Sequence, residues 1–252
     1  KWGETRIGET SLVRTRNITA KNSSLPTFTV LEVVGEDMPF LVGSILGACR
    51  ESNLHAEMVL HPIIDHSRDE KGHRVQLTGD TRESYIQVFL QLLDDESRVE
   101  LEAEVKKTLS DIRNCVADFA TLQARMRDSA SIVGMNSFLG NQRAKEAEDF
   151  LTWLANDHFT FLGSRRYTFA RDENGELKPE EPEIVPGSSL GILRNESNFI
   201  LKRGSEPTII TGRISEFLNE PDPLIVAKAT LKSRVHRRVS ADYVGIKQYD
   251  DT

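Results

Sequence analysis

Residues 28–42 read FTVLEVVGEDMPFLV, and this stretch decides how the first half of the chain folds. Its first seven residues are rich in β-branched and aromatic side chains, which predicts a strand over residues 28–34. The apolar run then stops, and Pro39 fits the first turn of a helix, where its missing N–H costs nothing. A helix that begins directly after a strand leaves free N–H groups in the turn, so a small anionic or zwitterionic ligand can bind there. An ordinary connection between a strand and a helix explains the same residues.

Further strands and helices follow this turn. Val42, Ile45, Leu46 and Cys49 have the spacing of one buried helical face. A second strand is predicted over residues 57–64, where Pro62 confines it to an edge or a bulge, and the polar residues 65–82 predict a loop or ragged hairpin. Residues 83–93 alternate clearly and predict a strand. Its apolar face is Ile86, Val88, Leu90 and Leu92.

A long helix is predicted over residues 97–127. Its apolar residues alternate spacings of four and three, which makes a seam longer than one small sheet covers, so a partner helix and self-association are left open. The seam is Leu101, Val105, Thr108, Ile112, Cys115, Phe119, Leu122 and Met126. The order strand, helix, strand, strand, helix predicts an α+β sandwich of ferredoxin-like type with an antiparallel sheet.

The pattern breaks over residues 129–141, which predicts a boundary between two domains. We expect an N-terminal arm over residues 1–26, with a short strand at 12–18, a first domain over 27–130, and a second over 141–252. In the second domain, Asn141 can cap a helix, and residues 158–169 alternate as a strand. Shorter strands that suit a second sheet are predicted at 190–193, 199–202, 207–213, 224–230 and 243–249.

Composition limits the partners. The net charge of −7 and the pI of about 5.5 argue against a general nucleic-acid or membrane-surface binder. The chain begins with Lys1, has no run of roughly 20 apolar residues, and carries two cysteines outside any CxxC spacing, so we expect a fragment of a larger cytoplasmic protein.

No catalytic, cofactor-binding or metal-binding set is evident in the sequence. His61, Asp65, His66 and His73 match no standard zinc spacing. Cys49 and Cys115 lie on apolar helix faces, so structural thiols are expected rather than nucleophiles.

Two further patterns have ordinary explanations. The sequence GSSLG at 187–191 lacks the full spacing of a phosphate-binding loop, and a tight turn into a strand explains it better. A basic patch can contact an acidic neighbouring domain or form a solvated strand face. This patch is Lys232, Arg234, His236, Arg237 and Arg238.

Ordered blocks along the chain resemble the N-terminal region of the large, bacterial-type NAD-specific glutamate dehydrogenases. The blocks are VLEVVGEDMPFLVGSIL from residue 30, RESYIQVFLQ at 82–91, EAEDFLTWLANDHFTFLGSRRY at 146–167, GSSLGILR at 187–194 and KATLKSRVHRRVSADYVGIKQYD at 228–250. The resemblance implies tandem ACT-type regulatory modules ahead of a catalytic core. It also implies a parent enzyme that oxidises L-glutamate to 2-oxoglutarate and ammonium with NAD. The resemblance further implies that this enzyme is a homo-oligomer and that its catalytic residues lie beyond this chain.

In ACT modules an amino acid often binds at the turn after the first strand, which implies an effector site here. The site residues are Gly35, Glu36, Asp37, Met38, Pro39 and Phe40. The helix N–H groups can bind a carboxylate, and Glu36 or Asp37 can hold an ammonium group. The usual glycine after the proline is Phe40 here, which favours the alternative of a purely architectural arm that binds no metabolite.

Overall fold

The computed structural model describes residues 2–8, 10–19, 26–136, 139–170, 173, 182–195, 197–198 and 212–248. The chain divides into two compact units. Unit 1 comprises Lys1–Arg113 together with Arg234–Arg238, and unit 2 comprises Asn114–Ser233 together with Val239–Thr252.

Within the described residues, unit 1 forms an antiparallel sheet of five strands with helices after the second and fifth. The order across the sheet is β1, β2, β5 and β3, and β4 also pairs with β5. The elements are β1 (Leu12–Ile18), β2 (Phe28–Glu36), α1 (Leu41–Glu51), β3 (Ala56–Leu60), β4 (Ile63–Arg68), β5 (Arg74–Leu90) and α2 (Asp95–Gly134), whose first part lies in this unit. The α+β class with an antiparallel sheet and a long helix is confirmed, as is the short strand predicted at 12–18.

Strands β3 and β4 both pair with β5 and are separated only by His61 and Pro62. The single strand predicted over residues 57–64 is therefore wrong in its continuity. The break lies at Pro62, which has no N–H to donate, although its carbonyl accepts the N–H of Tyr85 at 2.9 Å. The edge or bulge position predicted for Pro62 is confirmed, and residues 65–82 form a hairpin of β4 and β5 rather than a loop.

One face of the sheet is apolar and buried. Ile86, Val88 and Leu90 of β5 are each at most 1% exposed, whereas Leu92, predicted to share their face, lies beyond the end of the strand and is exposed. Ile86, Val88 and Leu90 pair with Val33, Leu31 and Thr29 of β2, in that order. The helices supply a matching set of buried residues, Leu41, Ile45, Ala48 and Cys49 in α1 and Leu101, Val105, Leu109 and Ile112 in α2.

The opposite face carries an ionic group. Glu32 of β2 is buried, and its carboxylate accepts hydrogen bonds from Arg14, Arg16 and Gln87. Burial raises the pKa of Glu32, but the hydrogen bonds from Arg16 and Arg14 lower it by more than burial raises it. The pKa therefore lies below its ordinary value. The carboxylate therefore stays charged in the middle of this face.

Helix α2 is longer than the predicted helix over residues 97–127 and continues to Gly134. Of the eight predicted seam residues, six are buried within this chain, while Phe119 is 39% exposed and Met126 is partly buried. The chain itself therefore covers most of the seam, and self-association through it stays a prediction.

Unit 2 contains the rest of α2 and two more helices among the described residues. Helix α3 (Asn141–Trp153) begins where predicted, but Gly140 rather than Asn141 is the residue that precedes its first turn. A turn at Leu154–His158 follows it, in which the backbone of Asn156 and Asp157 is not helical. Leu151 and Leu154 pack in a buried cluster with Ala130, Val133 and Ala147. The other helix is α4 (Gly212–Asn219).

The strands described in unit 2 form three two-stranded antiparallel sheets. They are β6 (Gly163–Ser164) with β9 (Leu190–Gly191), β7 (Tyr167–Thr168) with β8 (Glu183–Ile184), and β10 (Leu224–Lys232) with β11 (Ser240–Ile246). The strand predicted at 224–230 is found, whereas the one predicted at 190–193 is a strand only at Leu190–Gly191 and becomes a 3₁₀ turn at Ile192–Arg194. The strand predicted at 243–249 begins three residues earlier.

The continuous strand predicted over residues 158–169 is wrong. His158 lies in the turn that follows the helix, where its ring stacks on Trp153 with centroids 4.6 Å apart and its Nδ1 lies 3.0 Å from the Trp153 carbonyl oxygen. The later residues form two short strands, β6 and β7, which pair with β9 and β8 respectively. The alternating residues therefore do not belong to one continuous strand. The strand predicted at 199–202, and most of the one at 207–213, lie outside the described residues.

Candidate functional site

The predicted effector turn lies between β2, which ends at Glu36, and α1, which begins at Leu41. The N–H of Asp37 donates to the carbonyl of Arg82 at 3.0 Å, which holds the turn against β5. Pro39 is exposed and lies outside the helix, so the predicted helix start is two residues early.

Phe40 explains that difference. Its backbone is left-handed, with φ 72° and ψ −3°, so it cannot continue a right-handed helix. A residue with a Cβ adopts this conformation at a cost of about 1–2 kcal/mol, which glycine avoids. The glycine usual at this position in ACT modules therefore suits the backbone directly, and Phe40 adopts the same geometry under strain. Phe40 also lies at the N-cap position, where its ring offers no acceptor to the N–H groups that open α1.

The acidic pair in the turn has two different environments. Asp37 is partly buried, and its Oδ1 accepts the hydroxyl hydrogen of Ser84 at 2.7 Å. His61 Nε2 lies 2.8 Å from the same Ser84 Oγ and must be the donor there, since the only hydroxyl hydrogen points to Asp37. Glu36 is exposed. Asp37 is thus engaged with β5, while Glu36 faces solvent.

A segment distant in sequence, Arg234–Arg238, lies against α1 in unit 1. The N–H of His236 donates to Ser44 Oγ at 2.9 Å, and the His236 ring lies 5.3 Å from the Phe40 ring, centroid to centroid. A Cβ placed on Gly43 would lie 3.8 Å from the His236 carbonyl oxygen, and one on Gly47 would lie 3.0 Å from Arg238 Cγ. Gly47 therefore allows the stem of Arg238 to lie close to the helix, whereas at Gly43 a Cβ would fit in ordinary van der Waals contact.

Two arginines bind the segment to acidic side chains of the helices. Arg234 lies 3.2 Å from Glu104 and 3.3 Å from Asp111 of α2. Arg238 lies 2.7 Å from Glu104 and also pairs with Glu51 of α1. Burial raises the pKa of Asp111, and Arg234 opposes that rise. The predicted basic patch is thus partly an internal ionic contact rather than a solvated strand face.

A second ionic cluster surrounds Glu83, which is 0% exposed. Its carboxylate accepts hydrogen bonds from Arg6 at 2.6 Å and from two nitrogens of Arg68 at 2.7 and 2.9 Å. His66, also 0% exposed, has its Nε2 at 3.1 Å from the same carboxylate. Burial raises the pKa of Glu83, but the hydrogen bonds from Arg68 and Arg6 lower it more, so the net shift is downward.

Sequence reasoning missed this cluster and the contact between α1 and the segment. The only sequence signals are the small residues Gly43, Ser44 and Gly47 on one part of α1, and acidic residues seven apart, Glu104 and Asp111, on α2. Both patterns are common on solvated helices, so neither identifies its partner.

The histidines considered for a metal have other neighbours. His73 lies 3.3 Å from Asp69, and Asp65 lies 3.6 Å from Arg82. Across the described part of the chain, no group of three or more His, Cys, Asp or Glu side chains has an arrangement that could hold a metal ion.

The loop at 187–191 forms a turn into β9, as predicted. Gly187 has φ 71° in the turn, and Gly191 has φ 61° at the end of the strand. Asp118 of α2 accepts the Gly191 N–H at 2.7 Å and both Nε and Nη2 of Arg194, at 2.5 and 2.6 Å. The hydrogen bonds from Arg194, with that of Gly191, lower the pKa of Asp118. The loop is thereby fixed to the helix.

Both cysteines are buried free thiols. Burial raises the pKa of Cys49 to about 11, and Cys115 Sγ donates to the Leu162 carbonyl at 3.1 Å. We expect a thiol reagent at pH 8 to label the native chain about 100-fold or more slowly than the urea-unfolded chain, because the thiolate at Cys49 is scarce and inaccessible. Absorbance of the released reagent measures both rates, and rapid labelling of either cysteine in the native chain would contradict this expectation.

No helix in the described ranges is both long and apolar enough to cross a bilayer.

Comparison with known proteins agrees with the predicted resemblance. Residues 2–105 match the family model described as "Glutamate dehydrogenase, ACT1 domain". The NAD-specific glutamate dehydrogenase of Halomonas elongata is 28% identical over 238 residues, and that of Pseudomonas aeruginosa is 28% identical over 236. Each alignment covers 89% of this chain and 14% of the relative, so the chain spans about a seventh of the length of these curated relatives.

Proposed function

Because residues 2–105 match the ACT1 domain of glutamate dehydrogenases, we propose that this chain is a non-catalytic regulatory part of an NAD-dependent glutamate dehydrogenase. The parent reaction is the conversion of L-glutamate, NAD and water to 2-oxoglutarate, ammonium and NADH. The family match carries this proposal, and the antiparallel sheet with its two helices supports it. NAD belongs to the parent enzyme, and the residues that transfer the hydride lie outside this chain.

The regulatory ligand is an amino acid bound at the turn of residues 35–40. Its carboxylate accepts hydrogen bonds from the N–H groups that open α1, which no side chain of the N-cap residue satisfies. Its ammonium group pairs with Glu36, which is exposed and free to turn toward it, and with the remaining oxygen of Asp37. Ligand control then requires that the amino acid bind two conformations of the enzyme with different affinities.

The second candidate function is a purely architectural arm. It is favoured by Phe40, whose ring lies against His236, and by the hydrogen bond that engages Asp37 with Ser84. In either function the partners are the rest of the parent polypeptide and other copies of it in a cytoplasmic homo-oligomer.

Isothermal titration of the chain with a panel of amino acids, glutamate and aspartate included, separates the two functions. We expect binding at up to millimolar concentration, and a loss of about tenfold or more in affinity for Asp37→Asn and Glu36→Gln, since each removes a charged partner of the ammonium group. Asp37→Asn keeps an acceptor for Ser84, so it changes charge without loosening the turn.

Glu57→Gln, at an exposed position on β3, is the matched control and should bind as the unaltered chain does. An absence of heat across the panel at millimolar concentration would favour the architectural function. Binding that neither variant weakens would place the ligand elsewhere.

A further inference from the structure

We propose that Arg234–Arg238 is a built-in occupant of the effector turn, and that an amino acid binds there by displacing it. This inference rests on the effector function proposed above. In this structure the basic segment lies on a surface within unit 1. One side of α1 and the adjoining part of α2 make that surface.

The segment reaches the start of α1, where the amino acid would bind. His236 donates its backbone N–H to Ser44, a residue only 1% exposed, and its ring covers part of Phe40. Ser44 is the fourth residue of α1, so His236 lies within one turn of the free N–H groups. A ligand with both a carboxylate and an ammonium group at this turn therefore competes with His236 for space.

The helix surface fits the segment. Gly47 leaves room for the stem of Arg238, whereas a Cβ at Gly43 would make only an ordinary van der Waals contact with the His236 carbonyl oxygen. Val235 is 1% exposed, so the segment also buries an apolar side chain. His236 itself has φ 63°, a left-handed backbone that the docked conformation must hold against strain.

Charge complementarity holds the segment in place. Arg238 binds Glu51, Glu104 and the hydroxyl of Thr108, the last at 2.8 Å, and its side chain is 13% exposed. Arg234 adds ion pairs with Glu104 and Asp111. Because these contacts are partly buried, water screens them less than surface ion pairs, and removing one arginine shifts the segment toward the undocked state.

Only molecules whose segment is undocked bind the amino acid. The apparent affinity is therefore the intrinsic affinity multiplied by the undocked fraction. Weakening the docked state therefore strengthens ligand binding. By the same linkage, bound ligand increases the exposure of the segment.

Titration of three forms of the whole chain with the same panel of amino acids, glutamate and aspartate included, tests this. We expect Arg238→Ala to bind about tenfold more tightly than the unaltered chain. The matched control is Arg237→Ala, which removes the same charge from an exposed position in the same segment and should leave the affinity unchanged. Equal affinity in all three forms would overturn the competition while leaving the effector function intact, whereas silence in all three would overturn both.

Amide hydrogen exchange gives a readout that does not depend on affinity. The His236 N–H is bonded to Ser44 in the docked state, so we expect its exchange to accelerate about tenfold in Arg238→Ala, and to accelerate in the unaltered chain when ligand is added. Far-UV circular dichroism checks that both variants are folded. Unchanged or slower exchange at His236 on ligand binding would refute displacement.

Discussion

The Gly191→Ala variant is expected to lose about 4 kcal/mol or more of the free energy of unfolding of unit 2. A Cβ at this position would lie 2.1 Å from the carbonyl oxygen of Leu162 and 2.9 Å from the Cα of Gly163. Both atoms belong to backbone, so the clash cannot be relieved by turning a side chain. The N–H of Ile192 bonds the same Leu162 carbonyl at 2.9 Å, so moving it also breaks a hydrogen bond.

Gly187→Ala is the matched control for this prediction. Gly187 also has a positive φ, 71°, but nothing lies within 4 Å of the position that its Cβ would take. Its substitution should cost only the conformational strain of about 1–2 kcal/mol. Urea unfolding followed by the fluorescence of Trp153, in a Trp2→Phe background, measures both variants in unit 2. Equal losses in the two variants would show that backbone conformation, not crowding, sets the requirement for glycine.

The Glu83→Ala variant is expected to destabilise unit 1 by about 3–5 kcal/mol, the cost of removing one partner from a buried ion pair. It leaves Arg6 and Arg68, at side-chain exposures of 7% and 9%, without the carboxylate that both contact. Glu83→Gln keeps the shape of the side chain but not its charge, so its stability should lie between those of Glu83→Ala and the unaltered chain. Glu36→Ala, which removes a carboxylate directly opposite Glu83 in the register but exposed, should change stability by less than about 0.5 kcal/mol. Urea unfolding monitored by Trp2 fluorescence in a Trp153→Phe background measures these changes.

The same carboxylate predicts the pH dependence of unit 1. The pKa of Glu83 in the folded chain lies below its ordinary value of 4.5, so the folded state binds fewer protons than the unfolded state over this range. Its contribution to stability is therefore fully present above about pH 4.5 to 5 and is lost as the pH falls through the folded pKa. Unfolding free energies measured between pH 7 and pH 3 should fall more steeply for the unaltered chain than for Glu83→Gln. Parallel pH profiles would contradict the charged state assigned to Glu83.

The sequence by itself determined the local elements whose apolar spacing is long and regular. The strand at residues 28–34, the alternation in β5 and the seam of α2 are each set by which side chains must leave water, and that requirement is written in the order of residues. The resemblance to glutamate dehydrogenases also came from the sequence alone, through blocks of residues that follow one another in order along the chain. Short segments without a sustained period were less determined. Residues 158–169 alternate, yet stacking of His158 on Trp153 and pairing with two different strands divide them.

Only the tertiary structure decided what surrounds the candidate site. The turn at residues 35–40 was evident from sequence, but the left-handed backbone of Phe40, the bond from Ser84 to Asp37 and the approach of His236 to Ser44 were not. Glu83 likewise resembles any polar residue in an alternating strand until Arg6 and Arg68 are placed around it. These contacts join residues from 15 to 192 positions apart. Periodicity records which face of an element is buried, whereas the identity of a distant partner depends on how the elements pack in three dimensions.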